Sequence, residues 1–156
     1  MIKRTSLYLC ATMLAGLISV LDSCTPESCY EETNAYLKAW FYSEETGNAL
    51  PPDSLTVYGL NRSSFKIYNK AVKPQPALLP LDASSQSCSF IVRINGITDT
   101  VNFTYTPYPH LISKECGYTF YFSIDTPVYS HNIINAVRVR KNTVTTLDEE
   151  NIRIFY

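Results

Sequence analysis

The sequence predicts an all-β domain of about seven or eight short antiparallel strands. Three observations carry that expectation. Strand-forming residues are abundant, with 12 Tyr and 7 Phe among 156 residues, while charged residues make up only 17%. Apolar and polar residues alternate with a period of two in several windows separated by turn residues. Beyond the first 23 residues, no window spaces its apolar groups as a helix face would.

Ala35 to Ser43 is the first such window. It sets Ala35, Leu37, Ala39 and Phe41 on one face and Tyr36, Lys38, Trp40 and Tyr42 on the other. Leu55-Thr56-Val57-Tyr58 and Phe65-Lys66-Ile67-Tyr68 follow, after turn chemistry at Glu45-Thr46-Gly47-Asn48 and Pro51-Pro52-Asp53. The strongest local signal is Cys88 to Ile94, then Asn95-Gly96, then Ile97 to Phe103. Asn-Gly between alternating runs predicts a two-residue type I′ hairpin, because both turn positions need positive φ. Pairing Ile94 with Ile97 sets Val92 against Asp99, Phe90 against Val101 and Cys88 against Phe103, so nearly all bulky apolar groups share one face.

Thr119 to Asp125 alternates Phe120, Phe122 and Ile124 against Tyr121 and Ser123. Ile133 to Arg140 sets Val137 and Val139 against Arg138 and Arg140, and Asn151 to Tyr156 sets Ile152 and Ile154 against Arg153. These last two fit strands near a sheet edge or end. The expected architecture is a single antiparallel Ig-like β-sandwich over residues 35-156.

The N-terminus predicts export. Lys3 and Arg4 precede a mostly apolar run from Leu7 to Leu21, closed by Asp22. That run is about 15 residues long, short of the roughly 20 a spanning helix needs, and it suits a signal peptide over residues 1-23. Leu21-Asp22-Ser23-Cys24 resembles a bacterial lipobox, which makes Cys24 the expected site of lipidation and residues 24-34 a linker. Thr25 is not the Asp that resembles an inner-membrane retention signal, so the outer membrane is the expected destination, on either its periplasmic or its outer side. The lipid on Cys24 would then make the membrane a partner.

Removing the first 23 residues leaves 133, enough for one hydrophobic core, with 11 basic and 13 acidic residues. That near balance argues against a nucleic-acid partner. Three cysteines would remain beyond Cys24. Cys88 alternates in phase with Phe90 and Val92 and is expected in the core as a small hydrophobe. Cys29 and Cys116 fall in loop-like positions where a disulfide could tie the N-terminal segment to the domain, although three cysteines allow three single bridges.

Chemistry is not visible. His110 follows Pro107-Tyr108-Pro109, and His131 follows Tyr129-Ser130; both read as loop or turn residues outside any nucleophile motif. The carboxylates cluster at turns and ends, as at Glu31-Glu32, Glu44-Glu45 and Asp148-Glu149-Glu150. With no C-x-x-C, no zinc spacing and no glycine-rich phosphate loop, we expect no enzyme, no metal and no cofactor. Asp53-Ser54-Leu55 and Asp99-Thr100-Val101 match a short acceptor pattern for O-glycosylation, and Glu27, Glu31 and Glu32 form a loose acidic tract near the expected anchor. A binding role rests on Tyr36, Trp40 and Tyr42, which on an exposed strand face could stack on a glycan or anchor a protein; buried, Trp40 would be core.

The lipobox with a cysteine soon after it, Leu79-Pro80-Leu81-Asp82, Tyr105 with its following loop, Ile112-Ser113-Lys114-Glu115-Cys116-Gly117 and the closing β-segment together resemble a domain-of-unknown-function family of small Bacteroidota lipoproteins. The resemblance implies an envelope lipoprotein with no assigned activity and supplies no catalytic residue. It also strengthens the Cys29 to Cys116 pairing, because such proteins tend to keep cysteines at those two positions. The expected function is therefore that of a structural or interaction module of the cell envelope.

Overall fold

Among residues 28–156, which the computed structural model describes, there are eleven strands and no helix. The expected signal peptide and Cys24 lie outside the described residues. In chain order the strands are β1 Tyr36–Tyr42, β2 Leu55–Gly59, β3 Lys66–Ala71, β4 Ala77–Pro80, β5 Ser87–Ile94, β6 Ile97–Ser113, β7 Gly117–Ile124, β8 Val128–Tyr129, β9 Ala136–Val139, β10 Thr143–Val144 and β11 Ile152–Phe155.

They form two sheets. The smaller runs β4-β1-β11-β9, and the larger runs β10-β7-β6-β5-β2-β3 with β8 also paired to β6. Leu37, Phe41, Ile152 and Ile154 of the small sheet and Leu55, Ile94, Phe103 and Val144 of the large one belong to a single buried cluster. Each such side chain contributes about 1.5–3 kcal/mol on leaving water.

The expected hairpin forms in the expected register. Ile94 pairs with Ile97, Val92 with Asp99, Phe90 with Val101 and Cys88 with Phe103. Asn95 and Gly96 take φ of 49° and 96°, as the tight turn requires. Phe90 and Phe103 meet edge to face at 6.1 Å on the inner side.

Beyond the hairpin, β6 continues to Ser113, and the expected loop around Pro107 and Pro109 is strand instead. Its residues 97–104 pair with β5 and residues 105–113 with β7, so the long strand passes from one neighbour to the next. The large sheet curls into a half-barrel. The prolines are tolerated for a local reason. The Tyr105 N–H points to the β5 side, where it donates to the Gln86 carbonyl at 2.9 Å. Residues 107 and 109 share that side, but β5 begins only at Ser87, so no ladder bond is lost where proline has no N–H.

The all-antiparallel expectation fails at one place: β1 and β11 run parallel, with Trp40 beside Arg153 and Phe41 beside Ile154. β11 is also central, between β1 and β9, rather than at an edge. Its inner face buries Ile152 and Ile154, while on its outer face Phe155 is covered by the Arg138 guanidinium, 4.4 Å from the ring centroid. A strand covered on both faces belongs inside a sheet.

Two buried polar side chains stitch the strands together. Asn151 accepts from the Lys38 N–H at 2.9 Å and donates to the carbonyls of Lys141 and Thr143 at 3.3 and 2.9 Å. Asp99 stands on the inward face of β6, only 1% exposed. One carboxylate oxygen accepts from the Ser130 hydroxyl and the Asn132 N–H, and the other from the N–H groups of Ile133 and Ile134 at 2.8 and 2.9 Å. This carboxylate holds the loop between β8 and β9 in place of backbone pairing. It is therefore not a free element of an acceptor motif, and Thr100 sits in the ladder opposite Ile91.

Burial alone would raise the Asp99 pKa, but the Ser130 hydroxyl and the three loop N–H groups outweigh it and hold the carboxyl below the usual range. A carboxylate depressed on folding stabilises the fold above its unfolded value of about 3.9, and that contribution is lost as pH falls through the lower folded value. Asp99→Ala, which leaves the loop donors unpaired, should lower the unfolding free energy by about 3 kcal/mol in urea at pH 7. The difference from wild type should shrink below pH 3.5 or so, within the window of that linkage. A loss under about 0.5 kcal/mol, the level of an ordinary surface substitution, would contradict the role assigned to this carboxylate.

Candidate functional sites

The strand face that sequence reading offered as a binding surface is the outer face of the small sheet. Tyr36, Trp40 and Tyr42 alternate on β1 as expected, and all three are half-buried. Lys38, on the same face, is buried, and its ammonium donates to the Leu147 carbonyl at 2.6 Å. The chain between β10 and β11 thus lies over part of this face.

Tyr42 is committed to internal contacts. Its hydroxyl donates to Glu150 Oε1 at 2.8 Å, and its ring lies 5.5 Å from that of Phe155. Arg153 places its guanidinium 4.7 Å from the Tyr42 ring centroid and grips Glu150 through Nε and Nη2, at 3.0 and 2.8 Å. The outer face therefore carries two neighbouring rings, Phe155 and Tyr42, each covered by a cation, Arg138 on the first and Arg153 on the second, with Glu150 holding Arg153. Burial would raise the Glu150 pKa, but the bonds from Arg153 and Tyr42 win and lower it. Trp40 keeps its ring half-buried, with its indole N–H buried and without a hydrogen-bond partner. Tyr36 borders a separate shallow groove, with Asn34, Pro80, Leu81 and Phe120.

A larger groove of about 780 Å³ opens between the β2–β3 turn and the β4–β5 connection. Leu60, Arg62, Phe65, Leu81, Asp82 and Cys88 line it, and Phe65 is 78% exposed. Asp82, in its wall, is held from the core by Tyr105, whose hydroxyl donates to the Asp82 carbonyl at 3.1 Å and accepts from the Asp82 N–H at 3.2 Å. Sequence reading did not find this groove. Its walls come from two connections and the start of β5, whose meeting depends on strand order.

Cys88 lies at the margin of the core rather than fully inside it and borders this groove. It is a free thiol, and burial pushes its pKa up to about 11. Cys29 and Cys116 are joined in a disulfide.

The histidines sit apart from any nucleophile arrangement. His110 is exposed on β6, not in a loop, and stacks on Tyr121 with centroids 4.1 Å apart; Tyr108 meets the same ring edge-on at 6.2 Å. His131 is exposed beside the Tyr129 ring at 4.7 Å. Among the described residues, no three or more His, Cys, Asp or Glu side chains are grouped so as to hold a metal ion.

The geometry of Cys88 makes a kinetic prediction. At pH 7.5 or so its thiolate should be on the order of 100-fold scarcer than that of an unperturbed cysteine, and its reaction with an aromatic disulfide reagent slower by a similar factor. Reaction of the native protein at the rate of free cysteine would contradict its burial.

No curated protein and no solved structure matches this chain. One family model does, that of the family of unknown function DUF6452, over residues 54–156. That span takes in β2 through β11, which is both faces of the large groove and all of the small sheet except β1. The chain belongs to the family of unknown function DUF6452.

Proposed function

We propose that this protein is a lipid-anchored structural or interaction module of the bacterial outer membrane, with Cys24 as its lipidation site and an Ig-like sandwich as its scaffold. The observation that carries the reading is the disulfide between Cys29 and Cys116. Such bonds form and persist outside the reducing cytoplasm, which agrees with a signal peptide over residues 1-23 and a lipobox ending at Cys24. The role is one of binding or architecture rather than catalysis. The buried side chains of Asp99 and Asn151 hold distant segments of the scaffold together, and each histidine lies beside a tyrosine ring.

A second reading is a ligand-binding module for a glycan or an envelope protein. Tyr36, Trp40 and Tyr42 remain its sequence-derived candidates. The large groove favours it more, because exposed Phe65 and Leu60 stand beside Arg62 and Asp82 in a concavity of the size small ligands occupy.

Palmitate labelling of wild type and Cys24→Ala in a Gram-negative host, combined with protease shaving of intact cells, tests the first reading. Label that disappears in the variant supports the anchor. A domain then digested on intact cells places it outside, and a protected one places it in the periplasm. Wild type without label contradicts the proposal.

A further inference from the structure

The inward face of β6 and β7 continues past the core. Tyr105 pairs with Ile124 and Pro107 with Phe122 inside it, and in the same register Pro109 pairs with Phe120 and Leu111 with Tyr118 beyond it. There the apolar groups are left open, with Leu111 48%, Phe120 46% and Tyr118 74% exposed. The hairpin ends in Lys114 and Glu115, one charge of each sign, followed by Cys116.

From this we infer that the tip of the β6–β7 hairpin, through Leu111, Tyr118 and Phe120, seats in the membrane interface beside the lipid anchor. The inference rests on the anchor proposed at Cys24. The disulfide ties Cys116, at the tip, to Cys29. Only five residue steps then separate Cys29 from Cys24, a reach of about 18 Å at full extension. A lipid on Cys24 would hold the bilayer surface within that reach of the hairpin end. The exposed groups suit the place. Tyrosine with leucine and phenylalanine is the composition that settles at headgroup level, with the ring buried and the hydroxyl wet. The balanced tip charges make the seating independent of anionic lipid.

The test places an indole at the tip by Tyr118→Trp and, as a control, on β8, which pairs with the opposite half of β6, by Val128→Trp. Val128 is 70% exposed and pairs with Asn102, about 30 Å along the strand from Leu111. Full-chain lipidated protein is reconstituted into phosphatidylcholine vesicles with and without lipid brominated high on the acyl chains. Emission is read as the difference from wild type, which contains Trp40 throughout. The expected result is loss of most of the added emission at position 118 with brominated lipid and no loss at 128. Equal emission at 118 in both kinds of vesicle, or equal loss at both positions, overturns the seating. Palmitate label on the same preparation separates the two ideas: label without quenching at 118 removes this inference and leaves the anchor, and absence of label removes both.

Discussion

The parallel pairing of β1 with β11 is the constraint on which the rest of the molecule depends. Ala39 to Tyr42 lie beside Ile152 to Phe155, so the first and last strands form the middle of the small sheet. Every connection from β2 to β10 is enclosed between two partners far apart in sequence. Such long-range pairing yields its stabilisation only after the intervening chain is ordered, which favours cooperative folding and makes it slow. The pairing also gives the core its second wall. Leu37, Phe41, Ile152 and Ile154 together oppose Phe103, Val92 and Val144, and without both strands neither sheet has a dry face.

Around that pairing the buried polar side chains hold distant chain segments in place. Asn151 joins β1 to the chain around β10, and Asp99 replaces a ladder for residues 130–134. Gln75 does the same just before the start of β4. Its side-chain amide accepts from the Phe41 N–H and donates to the Phe41 carbonyl, extending the edge of β1 where strand pairing stops. The outer face of the small sheet follows this logic. Cations that could have met a ligand are engaged with Tyr42, Phe155 and Glu150, so the face is largely satisfied from within. What remains open is peripheral: the groove around Phe65 and the apolar end of the β6–β7 hairpin.

The sequence showed what is local. Period-two alternation located β1, β2, β5, β7, β9 and β11, because each lies against one core and a slip of one residue would turn its apolar set outward. The Asn-Gly turn set the register of the central hairpin outright. What depended on distant partners was hidden. β4 is four residues ending in Pro80, too short and too proline-flanked to signal a strand. Pro107 and Pro109 read as a loop because their tolerance rests on β5 beginning only at Ser87, a fact of pairing rather than composition. The parallel partner of β1 could not be read at all. One clue was present and unused: in the hairpin register Asp99 falls on the apolar face opposite Val92, and a carboxylate there needs several donors to remain. Of the binding candidates, alternation placed Tyr36, Trp40 and Tyr42 on one face, but it could not reveal that Leu147 and Glu150 fold back over it.

Its pairing with β11 makes β1 part of one cooperative domain with the region that defines the family, although the family match begins only at residue 54. Native-state amide hydrogen exchange of the intact protein tests it most directly. The amides of Leu37, Ala39 and Phe41 should exchange only through global unfolding, with the same free energy and denaturant dependence as those of Val92 and Phe103 in the central hairpin. Exchange of the β1 amides by a separate, low-energy local opening, while the hairpin stays protected, would contradict it.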